Sequence, residues 1–134
     1  MSEYSNKPCW FCRFPLERIL RESITCFTVL DGYPVTFLHT LIIPKHHAET
    51  YFDLKQDVRR DVDLHLEEER KIILDQDPSV MGFNIGMNCG EVAGQTIMHC
   101  HIHLIPRRKG DIDDPTGGVR GVIPDKRMSD KRNY

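Results

Sequence analysis

The chain has 134 residues, which is room for one domain, because domains usually contain about 100–150 residues. Its content of 40% hydrophobic and 28% charged residues is that of a globular protein, and it excludes disordered, collagen-like and fibrous classes. Lys plus Arg (18) and Asp plus Glu (20) give a net charge of -2, so neither a nucleic-acid backbone nor an anionic membrane is the default partner. No apolar run approaches the roughly 20 residues that span a bilayer, and the polar start at Met1–Lys7 favours a cytoplasmic protein.

The first elements predict a β-hairpin. Ile24–Leu30 is rich in β-forming residues and leads into Asp31–Pro34, whose Asp-Gly pair is typical of a turn. A second apolar run, Thr36–Ile43, is expected to end at Pro44, because proline cannot donate a ladder hydrogen bond.

A long helix with one narrow buried stripe is predicted next. Asp53 and Gln56 have the spacing of a capping box, and the helix is expected to stop before Pro78. The apolar positions recur every four residues: Leu54, Val58, Val62 and Leu66. The charged positions predict a solvated face: Asp61, Glu67, Glu68, Glu69, Arg70 and Lys71.

The remaining elements are a strand over Val80–Met87, a glycine-containing loop over Asn88–Gln95 and a strand over Ile97–Ile105 closed by Pro106. This order predicts antiparallel strands with a crossing helix. From position 107 onward the sequence becomes polar and rich in Gly and Pro, and we expect this tail to dock on the domain, to dock on a second subunit or to stay mobile.

The last predicted strand carries the most informative pattern. Alternation places His99, His101 and His103 on one face, and it places Cys100, Ile102 and Leu104 on the other. Three imidazoles in a row are costly to bury for packing alone, since each ring nitrogen needs a partner. They indicate either a catalytic metal site or a nucleophilic histidine with an acid or base beside it.

The loop before these histidines offers hydrogen-bond donors suited to phosphate oxygens. It contains two amides, a hydroxyl and glycines that allow close approach of the backbone, over residues 88–96. A phosphate site beside a neutral imidazole favours attack of the imidazole on phosphorus. Five cysteines include the pair Cys9-x-x-Cys12, which indicates metal or redox chemistry more than a disulfide framework.

His99–Ile105 satisfies the signature His-φ-His-φ-His-φ-φ, where φ is apolar, and on this motif the chain resembles the histidine-triad (HIT) superfamily. The resemblance extends to Gly94–Thr96, Asn88, His39–His47, Asp31-Gly32 and the Cys-x-x-Cys pair. It implies an α+β fold with an antiparallel sheet, a HIT domain over residues 1–107, a tail over 108–134 and a homodimer. It also implies hydrolysis or transfer of a nucleoside monophosphate.

The resemblance implies roles for individual residues. His101 would attack the α-phosphorus and hold a nucleotidyl intermediate, His103 would contact the phosphate and the leaving group, and His39 would orient an imidazole. Asp31 would hold the ribose hydroxyls. The phosphate-binding positions match Asn88, Gln95 and Thr96. Phe37-Leu38 departs from the Pro-Gly that family members usually carry, which affects the backbone near Asp31 and His39.

A zinc-containing branch of the superfamily has a tetrahedral site whose ligands match Cys9, Cys12, His47 and His99. With no open coordination position this zinc would be structural. His46 is the alternative to His47.

The resemblance implies a nucleotidyl hydrolase that acts on a dinucleoside polyphosphate such as diadenosine tetraphosphate, or on a nucleoside phosphoramidate. Transferases of the superfamily usually carry glutamine at the third histidine, so His103 favours water as the acceptor. Arginines of the tail, such as Arg107, Arg108 and Arg120, are candidates to meet a polyphosphate leaving group. The alternatives are a nucleotide-binding or protein-binding module with little turnover, and a zinc centre formed by the three histidines. A nucleic acid is expected only as a nucleotide-capped end.

Overall fold

The fold is built around two short strands rich in β-branched residues. The computed structural model describes residues 9–127 of the chain. Its strands are β1 (Ile19–Glu22), β2 (Cys26–Leu30), β3 (Thr40–Pro44), β4 (Val80–Gly86) and β5 (Ile102–Arg108), and its helix α1 spans Gln56–Gln76. All neighbouring strands are antiparallel, in the order β1-β2-β3-β5-β4. The predicted α+β fold in one domain is confirmed.

The predicted hairpin is confirmed as the pair β2 and β3, which runs in register from Cys26 opposite Pro44 to Leu30 opposite Thr40. β3 ends at Pro44 as expected, but it begins four residues later than predicted because residues 31–39 form a loop. β1 was not predicted. Nearly every residue of β2 and β3 is buried, so both faces of this hairpin are covered.

The last strand begins later and ends later than predicted, at Ile102 and Arg108. It passes through Pro106, which was expected to end it. The ladder with β3 reaches only Leu104, so Pro106 lies beside a single neighbouring strand, β4. Proline is tolerated in such an edge-like position.

Helix α1 also begins differently from the prediction. A capping box is present, but it is formed by Thr50 and Asp53 at a 3-10 turn, and Asp53 with Gln56 forms none. The helix ends before Pro78, as predicted. Its buried positions are Val62, His65, Glu69 and Ile73. Within residues 9–127 no helix is both long enough and apolar enough to cross a membrane, and the cytoplasmic location stays a prediction.

Glu69 was wrongly placed on the solvated face of the helix. Its side chain is 1% exposed and accepts hydrogen bonds from Arg21 Nη2 at 2.6 Å and from Thr28 Oγ1 at 3.0 Å. The hydrogen bonds that Arg21 donates to Glu69 keep the pKa of the Arg21 guanidinium above its usual value. A carboxylate can be buried here because both of its oxygens are satisfied.

The two faces of the sheet have different covers. Cys26, Ile42 and Ile102 pack against α1 on one face. On the other face Phe11 and Phe14, from the segment before β1, form a cluster with four strand residues: Phe27, Val29, Leu41 and Ile43. The face opposite the helix therefore has a partial cover that comes from the N-terminal segment.

The Phe37-Leu38 departure has a structural consequence. Leu38 adopts a φ of +72°, which is the left-handed region that favours glycine, and its partly buried side chain packs on the cluster around Ile73, Val80 and Leu104. The packing compensates for the backbone strain.

The strained backbone at Leu38 predicts that a glycine variant is more stable than an alanine variant at this position, which is the reverse of their usual order. We expect Leu38→Gly to be more stable than Leu38→Ala by about 1 kcal/mol, because both lose the packing but only alanine keeps the strain. Urea unfolding of both variants measures the difference. If the two variants are equally stable, or if the alanine variant is the more stable one as it would be in a helix, the backbone at this position is not strained.

Candidate active site

The three imidazoles of the triad lie on one face of the sheet, as the alternation in the sequence predicts. His103 lies opposite Leu41 in the sheet, on the face away from α1, whereas Cys100 and Ile102 pack toward the helix. His99 and His101 precede the first residue of β5, and both have their rings next to Phe11, with centroids 5.9 and 5.0 Å from its ring. The three histidines therefore share the face covered by the N-terminal segment.

Hydrogen bonds assign a tautomer to His101. Its Nδ1 lies 2.8 Å from the backbone oxygen of His99, which can only accept, so Nδ1 carries the proton. In the neutral ring the lone pair is then on Nε2, which has no hydrogen-bond partner among residues 9–127. His101 lines a cavity of about 300 Å³, where its Nε2 is available to an electrophile.

A second set of hydrogen bonds assigns the tautomer of His103. The backbone N–H of Val35 donates to His39 Nδ1 at 3.0 Å, so the proton of a neutral His39 is on Nε2. His39 Nε2 lies 2.9 Å from His103 Nδ1, which must accept, and the N–H of His103 is therefore its Nε2. This hydrogen-bond chain, from Val35 N–H through His39 to His103, ends in a donor.

Burial keeps both rings of this chain neutral. It lowers the pKa of His39, and burial together with the neighbouring imidazoles lowers the pKa of His103 to about 4. Asp31 opposes the shift, since its Oδ2 lies 3.5 Å from His39 Nε2 and 4.0 Å from His103 Nδ1. Its other oxygen, Oδ1, accepts the backbone N–H of Tyr33 at 2.8 Å, which orients the carboxylate.

The lowered pKa of His103 predicts an acid-sensitive fold. Between about pH 6.5 and pH 4 the unfolded chain binds a proton at this position and the folded chain does not, so the free energy of unfolding falls as the pH falls. The slope for one such group approaches about 1.4 kcal/mol per pH unit. Urea unfolding at pH 7, 5.5 and 4.5 measures it, and His103→Gln should reduce the slope. A variant with the slope of the wild type would contradict the shift.

The 300 Å³ cavity gathers most of the substrate-binding positions predicted from the sequence. Asp31, Asn88 and Thr96 line it together with His101 and His103. The loop that carries Asn88 and Thr96 turns through Gly90 and Gly94, with φ of +100° and +96°, values that side chains strongly disfavour. Polar donors, a carboxylate and two imidazoles thus face one space.

Gln95 is placed differently from the other predicted phosphate ligands. Its side chain is 2% exposed; Oε1 accepts the N–H of Gly90 at 2.8 Å, and Nε2 donates to the backbone oxygens of Glu49 and Ile97. Its own backbone N–H donates to Gly90 O at 3.1 Å. In this structure Gln95 holds the loop in shape, and direct contact with phosphate stays a prediction.

The Cys-x-x-Cys pair and two histidines converge beside the triad. Ligand atoms of Cys9, Cys12, His47 and His99 all lie within 4.8 Å of one another. His99 Nδ1 is 3.2 Å from Cys9 Sγ and 3.2 Å from His47 Nδ1, while its Nε2 donates to Pro44 O at 2.7 Å. The bond to Pro44 leaves the Nδ1 lone pair pointing into the cluster. His46 lies outside this group.

A zinc centre formed by the three triad histidines finds no support in the geometry. Within residues 9–127 two groups bring three or more potential ligands together, the Cys-His cluster and Asp31 with His39 and His103. Neither combines His99, His101 and His103.

A second cavity of about 430 Å³ lies beside His103, and His39, Asn88 and His103 line it. Val119 and Val122 of the tail contribute to its walls. Tail residues 128–134 lie outside the described residues, and the boundary predicted at 107 falls one residue before the end of β5.

The arginines proposed for a polyphosphate already have partners. Arg107 pairs with Asp111 at 2.8 Å and donates to Asn84, Arg108 pairs with Asp77 at 2.9 Å, and Arg120 donates to Lys126 O. The pKa of Asp77 is lowered by its Ser79 hydrogen bonds and by Arg108. Of these arginines only Arg107 lines the 430 Å³ cavity.

The family model described as "HIT domain" matches residues 17–110, which includes the triad, the hydrogen-bond chain and the loop. This chain belongs to the HIT family. The N-terminal part of the Cys-His cluster, Cys9 and Cys12, lies outside the matched range of the HIT domain.

The HIT proteins that this chain is similar to include a named enzyme and proteins of known structure. The chain is 32% identical over 120 residues to the adenosine 5'-monophosphoramidase HNT1 of Candida albicans, covering 84% of this chain and 76% of the relative. A HIT family protein of Bacillus anthracis superposes with a TM-score of 0.72 at 28% identity, over 94% of this chain and 82% of that one. A zinc-bound histidine triad protein of Mycobacterium smegmatis superposes with a TM-score of 0.70 at 30% identity, over 77% of each chain.

Two further HIT relatives carry activities in their names. They are the adenylylsulfatase HINT3 of Arabidopsis thaliana, 32% identical over 77% of this chain and 54% of the relative, and a diadenosine triphosphate hydrolase of Plasmodium falciparum. The latter superposes with a TM-score of 0.69 at 25% identity, over 75% of this chain and 68% of that one. Three of these HIT relatives are thus named as hydrolases of phosphoramide or phosphoanhydride bonds of nucleotides.

One wall of the 300 Å³ cavity was not predicted from the sequence. Trp10, Phe11, Phe14 and Arg18 line it from the N-terminal segment. The available signal was the aromatic content of Cys9–Phe14, but nothing in the pattern showed that these rings face the triad.

Proposed function

We propose that this HIT protein is a nucleotidyl hydrolase that releases a nucleoside monophosphate through a covalent intermediate on His101. The observation that carries this proposal is the tautomer of His101, whose Nδ1–H is held by His99 O and whose Nε2 lone pair is available in the cavity. Neutral imidazole with a fixed lone pair is a competent nucleophile toward phosphorus.

In the first step His101 Nε2 forms a bond to the α-phosphorus as the bond from phosphorus to the leaving group breaks. His103, at the end of the hydrogen-bond chain, donates a hydrogen bond from its Nε2–H to a phosphate oxygen or to the leaving atom and stabilises the negative charge that develops there, while the leaving atom takes its proton from solvent. Water then attacks the phosphorus: its oxygen bonds to phosphorus as the P–N bond breaks and its proton passes to solvent, which frees the nucleoside monophosphate and the neutral imidazole. Asp31 would bind the ribose hydroxyls, and Asn88 and Thr96 the phosphate.

The leaving group would occupy the 430 Å³ cavity on the far side of His103. Apolar side chains form most of its wall: Val35, Ile85, Met87, Ile105, Val119 and Val122. The cation at this cavity, Arg107, is already paired with Asp111. These walls suit a short or uncharged leaving group, such as an amine, better than a long polyphosphate.

A structural zinc ion is part of the proposal. Tetrahedral zinc with Zn–S of about 2.3 Å and Zn–N of about 2.05 Å separates its ligand atoms by about 3.3–3.8 Å. The contacts of 3.2–3.5 Å among Cys9, Cys12, His47 and His99 fit this spacing. Zinc bound by four protein groups supplies rigidity, with no open position for substrate.

A homodimer is proposed on the exposure of β4. This strand is an edge of the sheet, and it exposes Met81 (77%) and Ile85 (51%). A second copy paired along this edge would cover both the apolar side chains and the unpaired backbone groups. Light scattering after gel filtration reports the mass, and a monomer at micromolar concentration would contradict this part of the proposal.

Substrate preference is tested with a panel of adenosine 5'-phosphate derivatives. We expect AMP release from an adenosine phosphoramidate to be at least about tenfold faster than from diadenosine tetraphosphate, because the leaving-group cavity lacks an unpaired cation. Adenylyl sulfate is the third member of the panel, and chromatography quantifies AMP. Fastest cleavage of the tetraphosphate would reverse the assignment of the leaving group. Binding of nucleotides with no release of AMP from any member would favour the binding module.

A further inference from the structure

The turn Cys9-Trp10-Phe11-Cys12 faces two sites at once. The sulfur atoms of Cys9 and Cys12 lie 3.2 and 3.5 Å from His99 Nδ1 in the Cys-His cluster. Trp10 and Phe11, which stand between them in the sequence, line the 300 Å³ cavity. Any ligand that fixes the two sulfur atoms therefore also fixes one wall of the cavity.

The backbone of this turn has few other attachments. Among residues 9–127, the backbone hydrogen bonds of segment 9–18 outside strands run within it, from Arg13 N–H to Trp10 O and from Arg18 N–H to Pro15 O. The side chain of Phe11 is buried, but that of Trp10 is 53% exposed. Phe11 and Phe14 anchor the segment in the hydrophobic cluster on the sheet. Trp10 lies outside that cluster, so its position depends most on the turn.

The rings of the segment form a continuous aromatic surface. Trp10 and Phe14 have centroids 6.1 Å apart, and Phe11 and Phe14 are 5.8 Å apart. Phe11 also meets the ring of His101 edge-on, at 5.0 Å and 87°. The ring contacts thus connect His101, through Phe11 and Phe14, to the half-exposed Trp10. Asp31 lines the same cavity.

We propose that zinc in the Cys-His cluster assembles the nucleobase subsite, because it holds Trp10 beside the buried ring of Phe14, where a base can stack on it. The inference rests on the proposed function, and it adds that affinity for the base depends on zinc while affinity for the ribose phosphate does not. The ribose and phosphate positions, Asp31, Asn88 and Thr96, belong to loops outside the turn. By linkage, a bound nucleotide should strengthen zinc binding by the same factor.

The test compares AMP with ribose 5-phosphate, which lacks the base. Isothermal titration of the full chain, zinc-loaded and after removal of zinc, should give an AMP affinity about tenfold higher with zinc, since stacking on aromatic side chains changes affinity by this order. Ribose 5-phosphate should bind within about twofold of the same affinity in both states. Trp10 is the sole tryptophan of the chain, so its fluorescence should respond to AMP only in the zinc-loaded protein.

Variants distinguish the effect of bound zinc on AMP affinity from the effect of the aromatic wall. Trp10→Ala should keep its zinc, measured by atomic absorption, and lose the zinc dependence of AMP binding, whereas Trp10→Phe should retain part of it. Leu16→Ala is the matched control, because Leu16 is 82% exposed and lies in the same segment away from the cavity. Cys12→Ser should reproduce the metal-free protein, with Cys89→Ser as its control.

Each outcome bears on one conclusion. AMP affinity that is equal with and without zinc would overturn the inference and leave the proposed function intact. Loss of ribose 5-phosphate binding together with AMP binding on zinc removal would also overturn it, because zinc would then hold the whole site. Failure of both ligands to bind the zinc-loaded protein would count against the proposed function itself.

Discussion

Replacing His101 with alanine is expected to lower kcat/KM for AMP release by at least about 10³-fold, because the variant lacks the atom that attacks phosphorus. AMP should still bind within about threefold of the wild-type affinity, since Asp31, Asn88 and the aromatic wall remain. A substrate with a radioactive α-phosphate, quenched in denaturant, should label the wild-type chain and leave His101→Ala unlabelled.

The matched control for this variant is His46→Ala. His46 is exposed and lies outside the Cys-His cluster, so its removal should leave turnover and labelling unchanged. Retention of more than about a tenth of wild-type turnover in His101→Ala would exclude His101 as the nucleophile. Loss of labelling in His46→Ala would show that labelling depends on the fold rather than on His101.

The second large effect concerns stability. Glu69→Ala should lower the free energy of unfolding by about 3 kcal/mol, because it removes the partner of Arg21 and leaves the fully buried hydroxyl of Thr28 with only its longer hydrogen bond to Arg21 O at 3.4 Å. Urea unfolding at pH 7 measures the loss.

The adjacent residue provides the control for this prediction. Glu68 is exposed on the same helix, and Glu68→Ala should change the free energy of unfolding by less than about 0.5 kcal/mol. Equal effects of the two substitutions would show that the buried carboxylate contributes nothing specific.

His101 and Glu69 illustrate which features of the structure a sequence pattern can predict. The alternation around His101 lies within one segment of the chain, and the period of a strand is enough to place the three imidazoles on one face. Glu69 lies among five other charged residues predicted to be solvated, and its partner Arg21 is on an unpredicted strand far away in the sequence. Local periodicity cannot identify a pair whose members meet only through the tertiary fold.

The same distinction applies within the site. The residue types of the loop indicated Asn88 and Thr96 as donors to phosphate, and the resemblance to the HIT superfamily implied the positions of Asp31 and of the Cys-His cluster. The role of Gln95 in holding its loop, and the aromatic wall at Trp10, depend on which way a side chain turns. A single sequence does not contain that information, because a polar or aromatic residue in a loop can face either way.

The hydrogen-bond chain that begins at the Val35 N–H has a direction, and this direction limits what can replace its last member. Position 103 must present an acceptor toward His39 and a donor toward the cavity. Glutamine meets both demands, with an amide oxygen on one side and an N–H on the other, but unlike an imidazole it does not take up a proton as the pH falls. A single substitution there would preserve the hydrogen bond that the site donates to an anion and remove the protonation of this position in acid, so anion recognition and pH sensitivity can be separated at one side chain.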